Sequence, residues 1–433
     1  MADGDRLLPE LYDYIIDFLH DDHLSLRVCA LVCRSWVPAS RCHLFNHLKL
    51  TGSPPSPTRT WAENTQCRRI FATIRSSPHI ASYIHKLSVV ETNVVRPSTY
   101  RWVNGEITFP SLLQKLTGLR ELEFHFPHPG SAGTKVSWST MVFRDISDAM
   151  STMFLNSLVL RQFSFNSVGD FIKIIDSCRR VKTLQLDHVD IATVTHISPT
   201  TLDQFFNAHS SAQILEEKKA EIENLILRSN SSYLIIQALL HSRSPLDLSC
   251  LRSLVISITP GSYSNVLDFL KSTPGLEKLE IEIDQEFDYD AYLDPKDTID
   301  LSLLPSLRSL SFQSSVLLGR TEPLPWLYTT LSTIPSDSSK PNVLEELFLT
   351  CIVDKPPPSL TNQAFDNILG GWRNLDDLLI QPTFAAMRRF RLDFAIDNPI
   401  GDETVEMISQ EFIKQLQNLR GKGVLEVDYC EVR

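Results

Sequence analysis

From Trp61 onward the apolar residues follow one recurring spacing, L-x-x-L-x-φ, where φ is any apolar residue. Copies stand at Leu119-Leu122-Phe124, Leu160-Phe163-Phe165, Val181-Leu184-Leu186 and Ile222-Leu225-Leu227. They continue at Leu251-Leu254-Ile256, Leu276-Leu279-Ile281, Leu307-Leu310-Phe312, Leu344-Leu347-Leu349 and Leu375-Leu378-Ile380, with looser copies at Ile84-Leu87-Val89 and Leu425-Val427. The last two apolar positions of a copy alternate, which predicts a short strand with both on one face. The first closes a turn from a preceding helix. Val266 to Gly275, ahead of Leu276, and Phe171 to Cys178, ahead of Val181, spell out helix, turn and strand most fully. One such unit cannot bury its apolar side alone, whereas stacked neighbours can. The expectation over residues 61–433 is an α/β array of helix–strand repeats, its middle anchors spaced irregularly by 21 to 41 residues. An ordinary α/β domain rich in Leu is the plainer alternative.

The first fifty residues are patterned differently. Leu11, Ile15, Ile16 and Leu19 recur at helical spacing after Pro9-Glu10, a pair suited to a first helical turn. Leu24, Val28, Leu31 and Val32 form a second series, and Trp36, Leu44 and Phe45 belong to a third helix. A module of about 45 residues seldom buries enough surface to stand alone, so docking onto a partner is expected. Residues 51–60, TGSPPSPTRT, read as an extended linker between this module and the repeats.

The N-terminal pattern resembles the F-box. The shared features are Leu7, Glu10-Leu11, the Ile15-Ile16 pair, Leu19 and the signature Val32-Cys33-Arg34-Ser35-Trp36. Pro9 stands one place later than the family's proline, and the His20–His23 loop is longer. Residues 80–430 resemble the leucine-rich repeats, although the steps are irregular and the Asn or Cys after each strand is mostly missing. Together the two resemblances imply an irregular leucine-rich-repeat-like α/β solenoid preceded by a small all-α F-box module of three helices. F-box membership implies docking onto the Skp-type adaptor of a cullin–RING ubiquitin ligase. The contacts it implies are Leu7, Pro9, Leu11, Ile15, Ile16, Leu19, Val32, Cys33 and Trp36. The repeats would then recruit a protein target. A scaffold tethered to the adaptor without promoting ubiquitination is the second reading.

Composition agrees with helices and strands packed through Leu: there are 59 Leu and only 15 Gly among 433 residues. Few glycines leave little for phosphate-cradling loops. A formal charge of −11 argues against a nucleic-acid ligand or an anionic membrane surface. Eight scattered cysteines and the absence of a signal peptide or long apolar run predict a cytoplasmic or nuclear protein with free thiols.

Candidate chemistry is sparse. Cys29, Cys33, Cys42, His43 and His47 cluster in sequence, but Cys29 and Cys33 lie one helical turn apart rather than on a metal-binding knuckle. His125-Phe126-Pro127-His128 reads as a surface turn. The acidic stretch Asp284 to Asp300 has Ala291 where a calcium loop needs Gly. No nucleotide-binding, hydrolase or zinc-protease motif occurs, so no cofactor, metal or enzymatic activity is expected. The residues between strand anchors face outward. Glu280, Glu282, Glu345, Glu346, Asp376 and Asp377, with Phe348, suggest an acidic face for a basic protein segment.

Overall fold

The computed structural model describes residues 8–52, 65–91, 102–126, 140–191, 219–228, 233–258, 263–283, 298–315, 324–335, 343–353, 362–396 and 410–431. The chain is mixed α/β and divides into two compact units, Met1–Ala220 with Arg243–Leu246, and Glu221–Ser242 with Asp247–Arg433.

The first unit opens with α1 (Pro9–Asp17), α2 (His23–Val32) and α3 (Val37–Asn46). The chain passes from α3 into β1 (His47–Thr51) with no residue between them. Then come α4 (Thr65–Ser76), β2 (Lys86–Val90), the short α5 (Trp102–Gly105), α6 (Thr108–Lys115) and β3 (Glu121–His125). α7 (Thr140–Ser151), β4 (Ser157–Arg161), α8 (Val168–Ser177) and β5 (Thr183–Asp187) complete the ladder. β1 to β5 pair in sequence order, all parallel. Successive helices α4, α6, α7 and α8 pack on one another. The expected boundary at residue 50 therefore falls inside a strand. Leu48 and Leu50 alternate along β1, and Leu50 is fully buried, so these residues belong to the ladder.

The second unit holds seven more parallel strands: β6 (Asn224–Arg228), β7 (Ser253–Ile258), β8 (Lys278–Ile283), β9 (Ser309–Ser315), β10 (Glu346–Val353), β11 (Arg389–Ile396) and β12 (Leu425–Glu431). α9 (Tyr233–Leu240), α10 (Tyr263–Lys271), α11 (Leu324–Ser332), α12 (Asn362–Leu379) and α13 (Gln417–Gly421) lie between them in sequence. The register brings Leu225, Leu254, Leu279, Leu310, Leu347, Phe390 and Leu425 into one row. Parallel strands need crossovers, and among the described residues one of α9 to α13 lies in each of these but the one from β8 to β9. The first Leu of each motif closes the turn: Leu251, Leu276 and Leu344 are completely buried ahead of their strands. Each such burial contributes about 2 kcal/mol of transfer free energy.

Two expected strands lie elsewhere. The copy expected at Leu160-Phe163-Phe165 is offset: β4 carries Leu158 and Leu160, paired with Leu122, Phe124, Leu184 and Leu186. Leu155-Leu158-Leu160 has the same spacing, and Gln162, at φ 56, turns the chain out of the strand before Phe163. Leu375-Leu378-Ile380 lies on and just past α12, because Trp372, Leu375 and Leu379 recur at helical spacing and are buried on one side. The strand is β11, whose anchors are Phe390, Leu392 and Phe394.

One row at the edge where the strands begin has a distinct chemistry. In the second unit the residues just before β7 to β11 are Arg252, Glu277, Arg308, Glu345 and Arg388, with Glu223 preceding them. Each donates its backbone N–H to the carbonyl of the previous one, at 2.8–2.9 Å. Their side chains alternate in sign, giving ion pairs Arg308–Glu345 at 3.0 Å, Arg388–Glu345 at 3.5 Å and Arg252–Glu277 at 3.9 Å.

Candidate functional site

The three N-terminal helices start and stop on local signals. Pro9 occupies the first turn of α1. Asp22 caps α2, its carboxylate accepting from the backbone N–H of Leu24 (3.1 Å) and Ser25 (3.0 Å) and from the Ser25 hydroxyl (2.6 Å). Those bonds, that of the Ser25 hydroxyl foremost, hold the Asp22 carboxyl below its usual range. Inside the bundle sit Ile16, Leu26 and Cys29. Tyr12 packs on Trp36, ring centroids 5.6 Å apart, and His43 Nε2 lies 2.7 Å from the Asp17 carboxylate, tying α3 to α1.

Most of the apolar surface of α1 and α2 points the other way. Leu8, Leu11, Tyr14, Ile15 and Phe18 line an outer stripe from the start of α1 to its end, and Leu24, Val28, Leu31 and Val32 line one on α2. Phe18 is 71 % exposed, Leu24 73 % and Leu31 86 %. Among the described residues, nine of the fourteen exposed large apolar side chains fall within residues 8–32. Scattered exposed apolar residues are ordinary, but a concentration of this kind marks an interaction site.

The residues that the resemblance implied divide into three groups. Leu11, Ile15, Val32 and Cys33 are exposed on this module. Leu19 and Trp36 are half-buried. Ile16 is wholly buried and serves the bundle's own core, which corrects its assignment as a contact. Leu7 and the Pro9 side chain lie outside the described residues. Leu8, Tyr14, Phe18, Leu24, Val28 and Leu31 were not implied, although the spacing 24, 28, 31 was a legible stripe.

The second face expected from sequence is differently made. Glu280 and Glu282 both bind Arg228, at 3.3 and 2.7 Å, and Glu282 also accepts from the Ser257 hydroxyl at 3.2 Å. Burial raises the Glu282 pKa against the pull of Arg228. Glu345 meets Arg308 and Arg388, and Glu346 lies 3.5 Å from Arg389. Phe348 is half-buried, in register with Ser311 and Arg391. The carboxylates are thus neutralised within the ladder rather than left as an acidic field. Asp376 and Asp377 are on α12, not on a strand. Asp376, 2 % exposed, accepts from the backbone N–H of Asn418 (2.9 Å) and Leu419 (3.0 Å), the second and third residues of α13. Asp377 accepts from the Asn418 side chain at 3.3 Å.

Among the described residues no group of three or more His, Cys, Asp or Glu could hold a metal ion, and no helix is long and apolar enough to cross a membrane. The chain matches no protein-family model and no curated protein.

Proposed function

We propose that the protein is the substrate-receptor subunit of a Skp–cullin–F-box type ubiquitin ligase, its N-terminal module an F-box and its ladder an irregular leucine-rich-repeat-like solenoid. The observation that carries this reading is the uncovered apolar face of α1 and α2. Closing such a face against water is worth about 25 cal/mol per Å², and a second polypeptide is what closes it. The F-box resemblance identifies that polypeptide as the Skp-type adaptor, with Leu11, Ile15, Leu31 and Val32 among the anchors. The repeats hold a protein target, and the cytoplasm or nucleus is where such ligases work.

A receptor of this kind performs no chemistry. It raises the effective concentration of a target beside the transfer site, which requires a stiff path between docking module and target surface. The path here is short. α3 runs into β1, the Asn46 carbonyl accepts from His85 N–H at 3.0 Å, and the Asn46 and His85 side chains meet at 2.9 Å. Arg41 reaches His79 at 3.3 Å, and His47 reaches the Ser88 hydroxyl at 2.8 Å.

The test is co-elution of the full chain with a purified Skp-type adaptor on size exclusion, wild type against Ile15→Asp/Leu31→Asp. Wild type is expected to form a one-to-one complex, and the variant to lose it while keeping the same thermal transition. A wild-type chain that stays monomeric beside the adaptor would overturn the assignment. Ubiquitin transfer to a captured partner then separates a degradative receptor from a tethered scaffold.

A further inference from the structure

The row at the edge where the strands begin differs between the two units. In the second unit it alternates Glu and Arg and neutralises itself. In the first unit the aligned positions are His85, Arg120, Asn156 and Lys182, again linked carbonyl to N–H along the row at 2.7–2.9 Å. None is a carboxylate. Near them in sequence stand Lys115, the last residue of α6, and Arg180, two residues before Lys182.

The two arginines meet at one residue, Phe154. Arg120 Nη1 donates to the Phe154 carbonyl at 3.2 Å, and the Arg180 guanidinium lies over the Phe154 ring, 3.8 Å from its centroid. Among the described residues neither guanidinium meets a carboxylate. The nearest acids in sequence are already engaged: Glu121 with Lys86 at 3.4 Å, and Asp176 with Arg179 at 3.3 Å. Phe154 is nevertheless 50 % exposed. A pre-positioned guanidinium keeps its unused donors aimed outward, and an aromatic beneath it offers apolar contact.

We infer that this edge of the first unit, Arg120, Phe154 and Arg180 flanked by Lys115, docks an acidic protein segment. The spacing sets its form. Arg120 and Lys182 stand two strand separations apart, about 10 Å, which an extended chain spans in about three residues. Carboxylates at every third position would therefore keep pace with the row of strand starts and reach the guanidinium donors, with an apolar residue between them over Phe154. A nucleic acid fits less well, because a chain of net charge −11 repels a polyanion and a handful of cations neutralises few phosphates. The inference stands apart from the adaptor reading, since the docking helices α1 and α2 play no part in it.

The experiment is fluorescence anisotropy with the full chain and a labelled peptide of about twelve residues, Glu at every third position with Gly, Ser and one Leu between. Binding is expected at low salt and should weaken about tenfold as NaCl rises from about 50 to about 200 mM. Arg120→Glu/Arg180→Glu should weaken it about tenfold or more, whereas Arg252→Glu/Arg308→Glu on the self-neutralised row should leave it within about twofold. If the double reversal loses its thermal transition, Arg120→Gln/Arg180→Gln is measured against the same criterion. The proposal falls if the peptide does not bind, if folded variants bind it as wild type does, or if a thymidine oligonucleotide of equal length binds more tightly through the same arginines.

Discussion

In α2, Leu24 and Leu31 stand mostly in water, whereas Leu254, Leu279 and Leu310 in β7, β8 and β9 are shut off from it completely. The residue type is the same and the local propensity is satisfied in both places. What differs is the supply of neighbours. β7, β8 and β9 each have a parallel strand on either side, so a buried Leu meets other Leu in register. α1 and α2 pack on α3, and among the described residues their wider apolar stripe is left exposed. A leucine thus reports burial only where the next repeat is there to deliver it.

That contrast can be broken by truncation. Leu279→Ala removes a side chain locked between Leu254 and Leu310, and should cost about 3 kcal/mol of unfolding free energy in urea titration. Leu31→Ala should cost less than about 0.5 kcal/mol. Equal losses would mean that the α2 stripe is already packed, and the docking assignment would lose its foundation. Asp376→Ala gives the next largest effect. It leaves the Asn418 and Leu419 amides at the start of α13 without their acceptor, and about 1–2 kcal/mol should be lost in the same titration. Thiol reactivity sharpens the comparison without touching stability. Cys33 is exposed, and its hydrogen bond with the Ser35 hydroxyl holds its pKa below the usual thiol value. Burial pushes the Cys67 thiol up to about 11 and that of Cys351 up to about 12. At mildly alkaline pH iodoacetamide should therefore modify Cys33 well before Cys67 or Cys351, and adaptor should slow that reaction. Uniform modification of all three by mass spectrometry would contradict the burial pattern.

Much of the ladder was legible because its period is set by strand geometry. Leu254-Ile256, Leu279-Ile281 and Leu310-Phe312 alternate on strands, as the spacing requires. It was misread where two periods coincide. L-x-x-L is both a turn-to-strand spacing and one turn of a helix, so Leu375-Leu378 could be either, and Trp372 three residues earlier decides for the helix. β11 was missed because its anchors are Phe390, Leu392 and Phe394, with Met387 in the turn position. The docking stripe was legible as apolar helical spacing. Which of its members turn outward was not, since Ile15 and Ile16 are adjacent in sequence and opposite in burial. The pairing of Glu280 and Glu282 with Arg228 lay out of reach for another reason: more than fifty residues separate the partners, and only the strand register brings them together.

The unbroken passage from α3 into β1 makes the helical module behave like a nut on a thread. One residue inserted within α3 would swing α1 and α2 by about 100° and advance them about 1.5 Å, whereas four would restore nearly the original heading some 6 Å further out. The bearing of the apolar stripe is thus indexed by the length of a single helix. Loops elsewhere in the first unit can lengthen or shorten without altering it.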